Sequence, residues 1–161
     1  MSFSPVLLAI PVILAIMLAW RVVQRHRAAY RAQSLPRDDT EMTAAMARAR
    51  ASVGRFWQHF ADPRPGETDF MLRISISNGD LVEHLWCDRI EGDQVAASAV
   101  VGNEPLDVAT VRRNQRISFG SDQVSDWAFR RDGRIVGGET LRAMQQRFPP
   151  GHPARREIFI D

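Results

Sequence analysis

Four polar residues in two stretches of the sequence are the candidates for catalysis. Glu83 and His84 are adjacent in the run VEHLW, whereas Asp126 and Arg142 flank a segment that contains three glycines. Carboxylates and imidazoles are the side chains that most often transfer protons in enzymes. If the protein is an enzyme of unknown reaction, its polar site is expected to consist of Glu83, His84, Asp126 and Arg142.

The spacing of these residues favours structural roles over a catalytic pair. Successive side chains of a strand point to opposite faces, so Glu83 and His84 cannot act together without help from another element. Asp126 can pair with Arg142, and Thr140 lies in the first turn of a predicted helix, where a hydroxyl can reach free backbone amides. The sequence contains no phosphate-binding glycine loop and no nucleophile elbow.

A non-catalytic binding module is therefore the main hypothesis. An exposed aromatic side chain, such as Trp86 or Trp127, or an unpaired strand edge would contact a protein or peptide partner. His84 and Trp86 share one face of their strand, which hints at a pocket there. An ordinary histidine at a sheet surface is the structural alternative.

Neither a metal ion nor an organic cofactor is expected. The four histidines, at positions 26, 59, 84 and 152, are scattered without the spacing of a zinc site. Cys87 is the only cysteine, so no internal disulfide can form. A single cysteine inside an apolar run is typical of a small buried side chain.

The charge distribution argues against a nucleic-acid partner. All 21 basic residues are arginines, and the 19 acids leave a net charge of +2. The part of the 161-residue chain from residue 33 onward contains 17 arginines and all 19 acids, so it is close to neutral. Nucleic-acid binding domains instead concentrate positive charge.

The N-terminal residues 1–23 are predicted to be a membrane anchor. Residues 3–20 carry no charge, and as a helix they span about 27 Å, close to the ~30 Å of a bilayer core if Arg21 snorkels. Arg21, Arg25, Arg27 and Arg31 follow the apolar run, and arginines are retained on the cytoplasmic side. We expect a single-pass protein of the bacterial inner membrane, with residues 3–23 in the bilayer, the N-terminus outside and the rest cytoplasmic. Cleavage as a signal peptide, with export, is the alternative.

Beyond a linker at residues 24–39, residues 40–161 are predicted to form one soluble α+β domain. Apolar residues at intervals of three and four indicate an amphipathic helix from about 40 to 61. Alternation from Phe70 to Ile76, then Asn78-Gly79 and a return strand at 81–87, indicates a hairpin. Further strands are predicted at 95–101, 107–111, 116–120, 126–131 and 134–136, a short helix at 139–147 and an edge strand in the C-terminal REIFI. Short turns between successive strands predict an antiparallel sheet packed with the two helices.

Six short motifs resemble the bacterial family called domain of unknown function 2314, the YegJ-like proteins. They are Phe56-Trp57, Pro65-Gly66-Glu67, the run at 82–86, Asn103-Glu104-Pro105, Asp126-Trp127 and the run GGETLR at 137–142. The resemblance covers roughly residues 40–150 and leaves the N-terminal segment outside. It implies a small α+β domain in an uncharacterised family, with no activity attached.

Overall fold

The computed structural model describes residues 39–161. The first element is helix α1 (Thr40–Ala61), and it begins where Asp39 accepts a hydrogen bond from the amide of Met42 at 3.0 Å. An aspartate at this position satisfies one of the amides that a helix start leaves free. The predicted amphipathic helix is confirmed, and its buried side is Met42, Ala45, Ala49, Phe56 and Trp57.

Seven strands form one sheet in the order β4-β3-β2-β1-β5-β6-β7. Their bounds are β1 Glu67–Asn78, β2 Leu81–Gly92, β3 Ala97–Val101, β4 Arg116–Phe119, β5 Val124–Arg131, β6 Arg134–Gly137 and β7 Phe159–Ile160, with helix α2 (Glu139–Gln145) after β6. The hairpin predicted from Asn78-Gly79 joins β1 and β2, with Ile74 opposite Leu85. Gly79 has a positive φ, as the two-residue turn requires.

The α+β class is confirmed, but the prediction of a purely antiparallel sheet is wrong. Strand β7 runs parallel to β6, pairing Ile135 with Phe159, so the sheet is mixed. The chain reaches this edge through α2 and a 3-10 turn at Pro153–Arg156, and this long return lets β7 enter in the same direction as β6.

The predicted strand at 107–111 is also wrong. The backbone amides of Leu106, Asp107 and Val108 donate to the carboxylate of Glu83, at 2.9 to 3.1 Å. A side chain therefore occupies the donors that a strand would offer to a neighbouring strand. Val108 is buried, which explains the apolar character that suggested a strand.

The core lies between one face of the sheet and the inner side of α1. Leu72 and Ile74 of β1 and Leu85 and Cys87 of β2 point to this face, together with Trp127 of β5. Only residues 120–123 connect β4 to β5, and they include a 3-10 turn. Even at full extension, this connection would span only about 18 Å from Phe119 to Val124. Four strand spacings in a flat sheet are about 19 Å, so the sheet must curve around this core.

No helix in residues 39–161 combines the length and the apolar character needed to cross a bilayer. The predicted membrane anchor at 1–23 and the linker up to residue 38 lie outside the described residues.

Candidate functional site

Glu83 holds a loop. It lies on β2 opposite Ile76, on the side of the sheet that carries Leu85. Both carboxylate oxygens accept backbone amides of the segment at 106–108, which lies more than 20 residues further along the chain. With four hydrogen bonds to backbone donors, the carboxylate anchors the long connection between β3 and β4.

Asp126 caps helix α2 from a neighbouring strand. The side chain is fully buried, and it accepts hydrogen bonds from the amides of Trp127 (2.8 Å), Glu139 (3.3 Å) and Thr140 (2.7 Å) and from the Thr140 hydroxyl. Burial raises the pKa of Asp126, and these donors and the charge of Arg73 oppose that rise. Since Gly138, the residue before α2, has no side chain to cap the helix, Asp126 supplies the cap.

Arg142 belongs to the C-terminal edge. Its guanidinium lies 5.1 Å from the ring centroid of Phe159 and 3.5 Å from the exposed carboxylate of Asp161. The predicted pairing of Arg142 with Asp126 does not occur, because the Asp126 oxygens are occupied by the start of α2.

His84 lies on the face of β2 opposite the core, and its ring reaches across β1. The Nδ1 atom is 3.0 Å from the hydroxyl of Ser125, which donates to the backbone carbonyl of Arg73 at 3.0 Å. Because that hydroxyl has one hydrogen, it accepts from Nδ1, so the neutral ring carries its proton there. Burial, followed by the charges of Arg73 and Arg50, lowers the pKa of His84 to about 4.

The His84 cluster, defined as Arg50, Arg73, His84 and Ser125, forms at an irregularity of the sheet. The pairing of β1 with β5 shifts register between Arg73 and Ile74, and this shift places Ser125 within reach of the ring. Arg50 projects from α1, and its Nε donates to the carbonyl of Val124 at 3.2 Å. A sheet irregularity of this kind often re-aims a side chain beside a functional site.

Of the two tryptophans expected to contact a partner, only Trp86 is near the surface. Trp86 is half-buried on the same face as His84 and lies opposite Arg73 of β1. Trp127 is 2% exposed, and its indole nitrogen donates to the carbonyl of Ala49 at 3.0 Å. Trp127 is thus a core anchor that binds α1 to the sheet.

The structure does not bring the four candidate catalytic residues together. Within residues 39–161 no hydrogen bond or ion pair joins any two of Glu83, His84, Asp126 and Arg142, and each is held by different partners. A polar active site requires its groups to converge on one concave surface. These four residues do not meet that condition.

A buried ionic triad, which the sequence analysis missed, lies at the start of β1. Glu67 has no exposed side chain and accepts Arg131 Nη2 at 2.8 Å, His59 Nδ1 at 3.1 Å and the Arg64 amide at 3.0 Å. Arg131 Nη2 also lies 3.5 Å from Nε2 of His59, so both ring nitrogens have partners. The hydrogen bonds outweigh burial and lower the pKa of Glu67. The turn at 62–66, which joins the end of α1 to the start of β1, was the feature of the sequence that could have indicated this triad.

Other features of the described domain offer little chemistry. An open groove of about 630 Å³ runs along Glu91, Val95 and Phe119 to Gln123. Cys87 is buried, and burial raises the pKa of its thiol to about 12, so it is not a reactive nucleophile. Residues 39–161 contain no group of three or more side chains placed to hold a metal ion.

Comparison with known proteins identifies the family. Residues 39–157 match the model of a family described as an uncharacterised protein conserved in bacteria (DUF2314). The chain belongs to this family. The match covers nearly all of the described DUF2314 domain and confirms the resemblance drawn from its short motifs. No solved structure matches the chain.

Two bacterial relatives resemble the domain. A Neisseria meningitidis serogroup B protein with the provisional name of ankyrin repeat protein is 30% identical over 115 residues, which are 66% of this chain and 46% of that protein. The uncharacterised protein YegJ of Escherichia coli K12 is 24% identical over 112 residues, 70% of this chain and 72% of YegJ. The chain thus spans less than half of the Neisseria relative.

Proposed function

We propose that this DUF2314 domain is a non-catalytic binding module that recognises a protein or peptide partner. The observation that carries the proposal is the outward face of β2, which presents Val82, His84 and Trp86 in alternation. Val82 is 51% exposed, Trp86 is half-buried, and the ring of His84 is fixed between them. A fixed apolar surface around a polar group is typical of a protein interface.

Two further observations support binding over catalysis. The four candidate catalytic residues have separate partners, and the acids among them, Glu83 and Asp126, are saturated by donors of the fold itself. In addition, the Neisseria relative is named as an ankyrin repeat protein. Ankyrin repeats stack into extended concave surfaces that bind other molecules, which is a context suited to a second recognition domain.

We also propose that the module is held at the cytoplasmic face of the bacterial inner membrane by residues 3–23. The uncharged run at 3–20 and the arginines that follow it support this placement. A reporter fused after Asp161 tests it: activity of a cytoplasmic reporter is expected, and activity of an exported reporter would contradict the proposed orientation.

The binding role is tested by recovering partners with the full-length protein solubilised from the bacterial membrane. Trp86→Ala is expected to lower recovery of the specific partner at least about tenfold, since an aromatic hot spot of an interface contributes about 2 kcal/mol or more, which is roughly thirtyfold in affinity. The matched control is Val95→Ala, which truncates a side chain that is 85% exposed beside the groove. Equal recovery by wild type and both variants would contradict the role of the β2 face.

A further inference from the structure

Helix α2 and the loop that follows it carry positive charge without acids. Residues 140–156 include Arg142, Arg147, Arg155 and Arg156 and contain no aspartate or glutamate. Arg142 and Arg147 have carboxylate partners, whereas Arg155 and Arg156 form no ion pair within the described part of the chain. Both of these residues are exposed. Two adjacent exposed arginines without acid partners produce a positive potential that attracts anionic ligands.

The basic loop, defined as residues 146–156, is held in shape by its own contacts. The Phe148 ring stacks on His152, with centroids 4.3 Å apart. Nη2 of Arg155 donates to the side-chain oxygen of Gln146 at 3.2 Å. Because Gln146 is neutral, this bond restrains Arg155 without cancelling its charge. A loop that is already ordered loses little conformational freedom when it binds a ligand.

The basic loop also lies where the chain enters the described domain. The guanidinium of Arg147 bonds the carboxylate of Asp39, the first described residue, and that of Glu41 at 2.6 Å. Residues 24–38 precede Asp39 and follow the proposed anchor, and at full extension they span about 50 Å. An anchored domain is therefore confined near the bilayer surface, where a weak contact becomes effective because it is intramolecular.

We infer that the basic loop docks on anionic phospholipid headgroups through Arg155 and Arg156. This inference rests on the proposed membrane placement, which keeps the domain within reach of the bilayer. The planar guanidinium binds phosphate oxygens with parallel donors, and the anionic cytoplasmic leaflet attracts each arginine near its surface. Pro149 and Pro150 of the loop are exposed, and Ile158 just after it is 59% exposed. These apolar side chains are suited to contact the boundary between headgroups and acyl chains.

The test measures how closely the basic loop approaches lipid headgroups. The full-length protein with Pro150→Cys carries a nitroxide and is reconstituted into vesicles of phosphatidylcholine, with or without phosphatidylglycerol. Both vesicles contain the same trace of a lipid with a chelated nickel ion on its headgroup. Cys87 is buried and stays unlabelled. Phosphatidylglycerol is expected to raise the docked fraction severalfold, which is measured as faster nitroxide relaxation by nickel. The double substitution Arg155→Gln and Arg156→Gln is expected to weaken docking about 25-fold, at about fivefold for each arginine.

Two controls separate docking from a general attraction to the bilayer. A nitroxide at Val95→Cys lies on the turn between β2 and β3, toward the opposite edge of the sheet from β7, and is expected not to respond to phosphatidylglycerol. The matched double substitution, Arg112→Gln and Arg113→Gln, removes two adjacent exposed arginines from the connection between β3 and β4. It is expected to leave docking unchanged.

Three results would overturn the inference: no effect of phosphatidylglycerol at position 150, an equal effect at position 95, or an equal loss of docking in the two double variants. Retention of the protein in neutral vesicles after an alkaline wash is measured in parallel. If the protein is retained while position 150 ignores phosphatidylglycerol, the anchor stands and the docking does not. If the protein is released from neutral vesicles but binds anionic ones through Arg155 and Arg156, the docking surface stands and the anchor does not.

Discussion

The environment of His84 makes a quantitative prediction about stability and pH. Its pKa is about 4 in the folded protein, against the ordinary value of 6.5. Between these two pH values, the imidazole of His84 is therefore protonated in the unfolded chain and neutral in the folded domain. The stabilisation is complete above about pH 6.5 and is lost as the pH falls toward about 4. A pKa difference of about 2.5 corresponds to roughly 3.4 kcal/mol, and solvent screening of the half-buried ring reduces this to about 1–3 kcal/mol.

Thermal unfolding of wild type and His84→Gln across this pH range measures the effect. Glutamine can still donate to Ser125, so the variant removes the titration while keeping the hydrogen bond. Wild type is expected to lose about 5–10 °C in melting temperature relative to the variant between neutral pH and about pH 4. A matched control, His152→Gln, removes a ring from the loop before β7 and leaves His84 in place.

The same variant provides a direct check by NMR. The histidine resonance absent from His84→Gln is assigned to His84, and its midpoint in wild type is expected near pH 4. A midpoint near 6.5, or parallel melting curves for wild type and His84→Gln, would refute the reasoning that Arg50, Arg73 and burial act on this ring.

Three other substitutions test the structural roles assigned above. Asp126→Asn turns an acceptor at the start of α2 into a donor and is expected to lower the free energy of unfolding by about 2–4 kcal/mol, whereas the exposed Asp107→Asn changes it by less than about 0.5 kcal/mol; equal unfolding free energies would exclude the cap. Glu67→Gln leaves the buried triad without its charge and is expected to cost about 2–4 kcal/mol in urea unfolding, with the difference shrinking as acid protonates Glu67 in wild type; a constant difference would contradict the lowered pKa. Gly137→Ala places a Cβ 2.6 Å from the Trp127 ring at a backbone φ of +75°. The melting temperature measured by circular dichroism is expected to fall by about 5 °C or more, and an unchanged value would contradict that packing.

Local signals in the sequence predicted the elements that local chemistry determines. Apolar residues at intervals of three and four located α1, and Asn78-Gly79 located the turn between β1 and β2. Both signals act within a few residues, and the structure confirms both.

Contacts between distant residues were beyond the reach of such signals. The role of Glu83 depends on amides more than 20 residues away, so its carboxylate looked like a catalytic candidate and the 107–111 segment looked like a strand. The parallel entry of β7 depends in the same way on the path of the chain after α2.

The candidate site was predicted in part. The shared face of His84 and Trp86 follows from strand alternation and is confirmed. The contributions of Arg50 and Ser125 could not be predicted, because they depend on the packing of α1 and on the register shift between β1 and β5. Trp127, which the binding hypothesis offered as an exposed contact, is instead buried, and its indole donates to the carbonyl of Ala49.

The central claim is that the outward face of β2 contacts the partner. Its most direct test is a photo-crosslinking amino acid placed at position 82 in the full-length protein inside living bacteria, with the more exposed position 95 as the comparison. A crosslinked protein from position 82 that disappears with Trp86→Ala, and is absent from position 95, is the predicted result. Crosslinks from position 95 alone, or from position 82 irrespective of Trp86, would contradict the account.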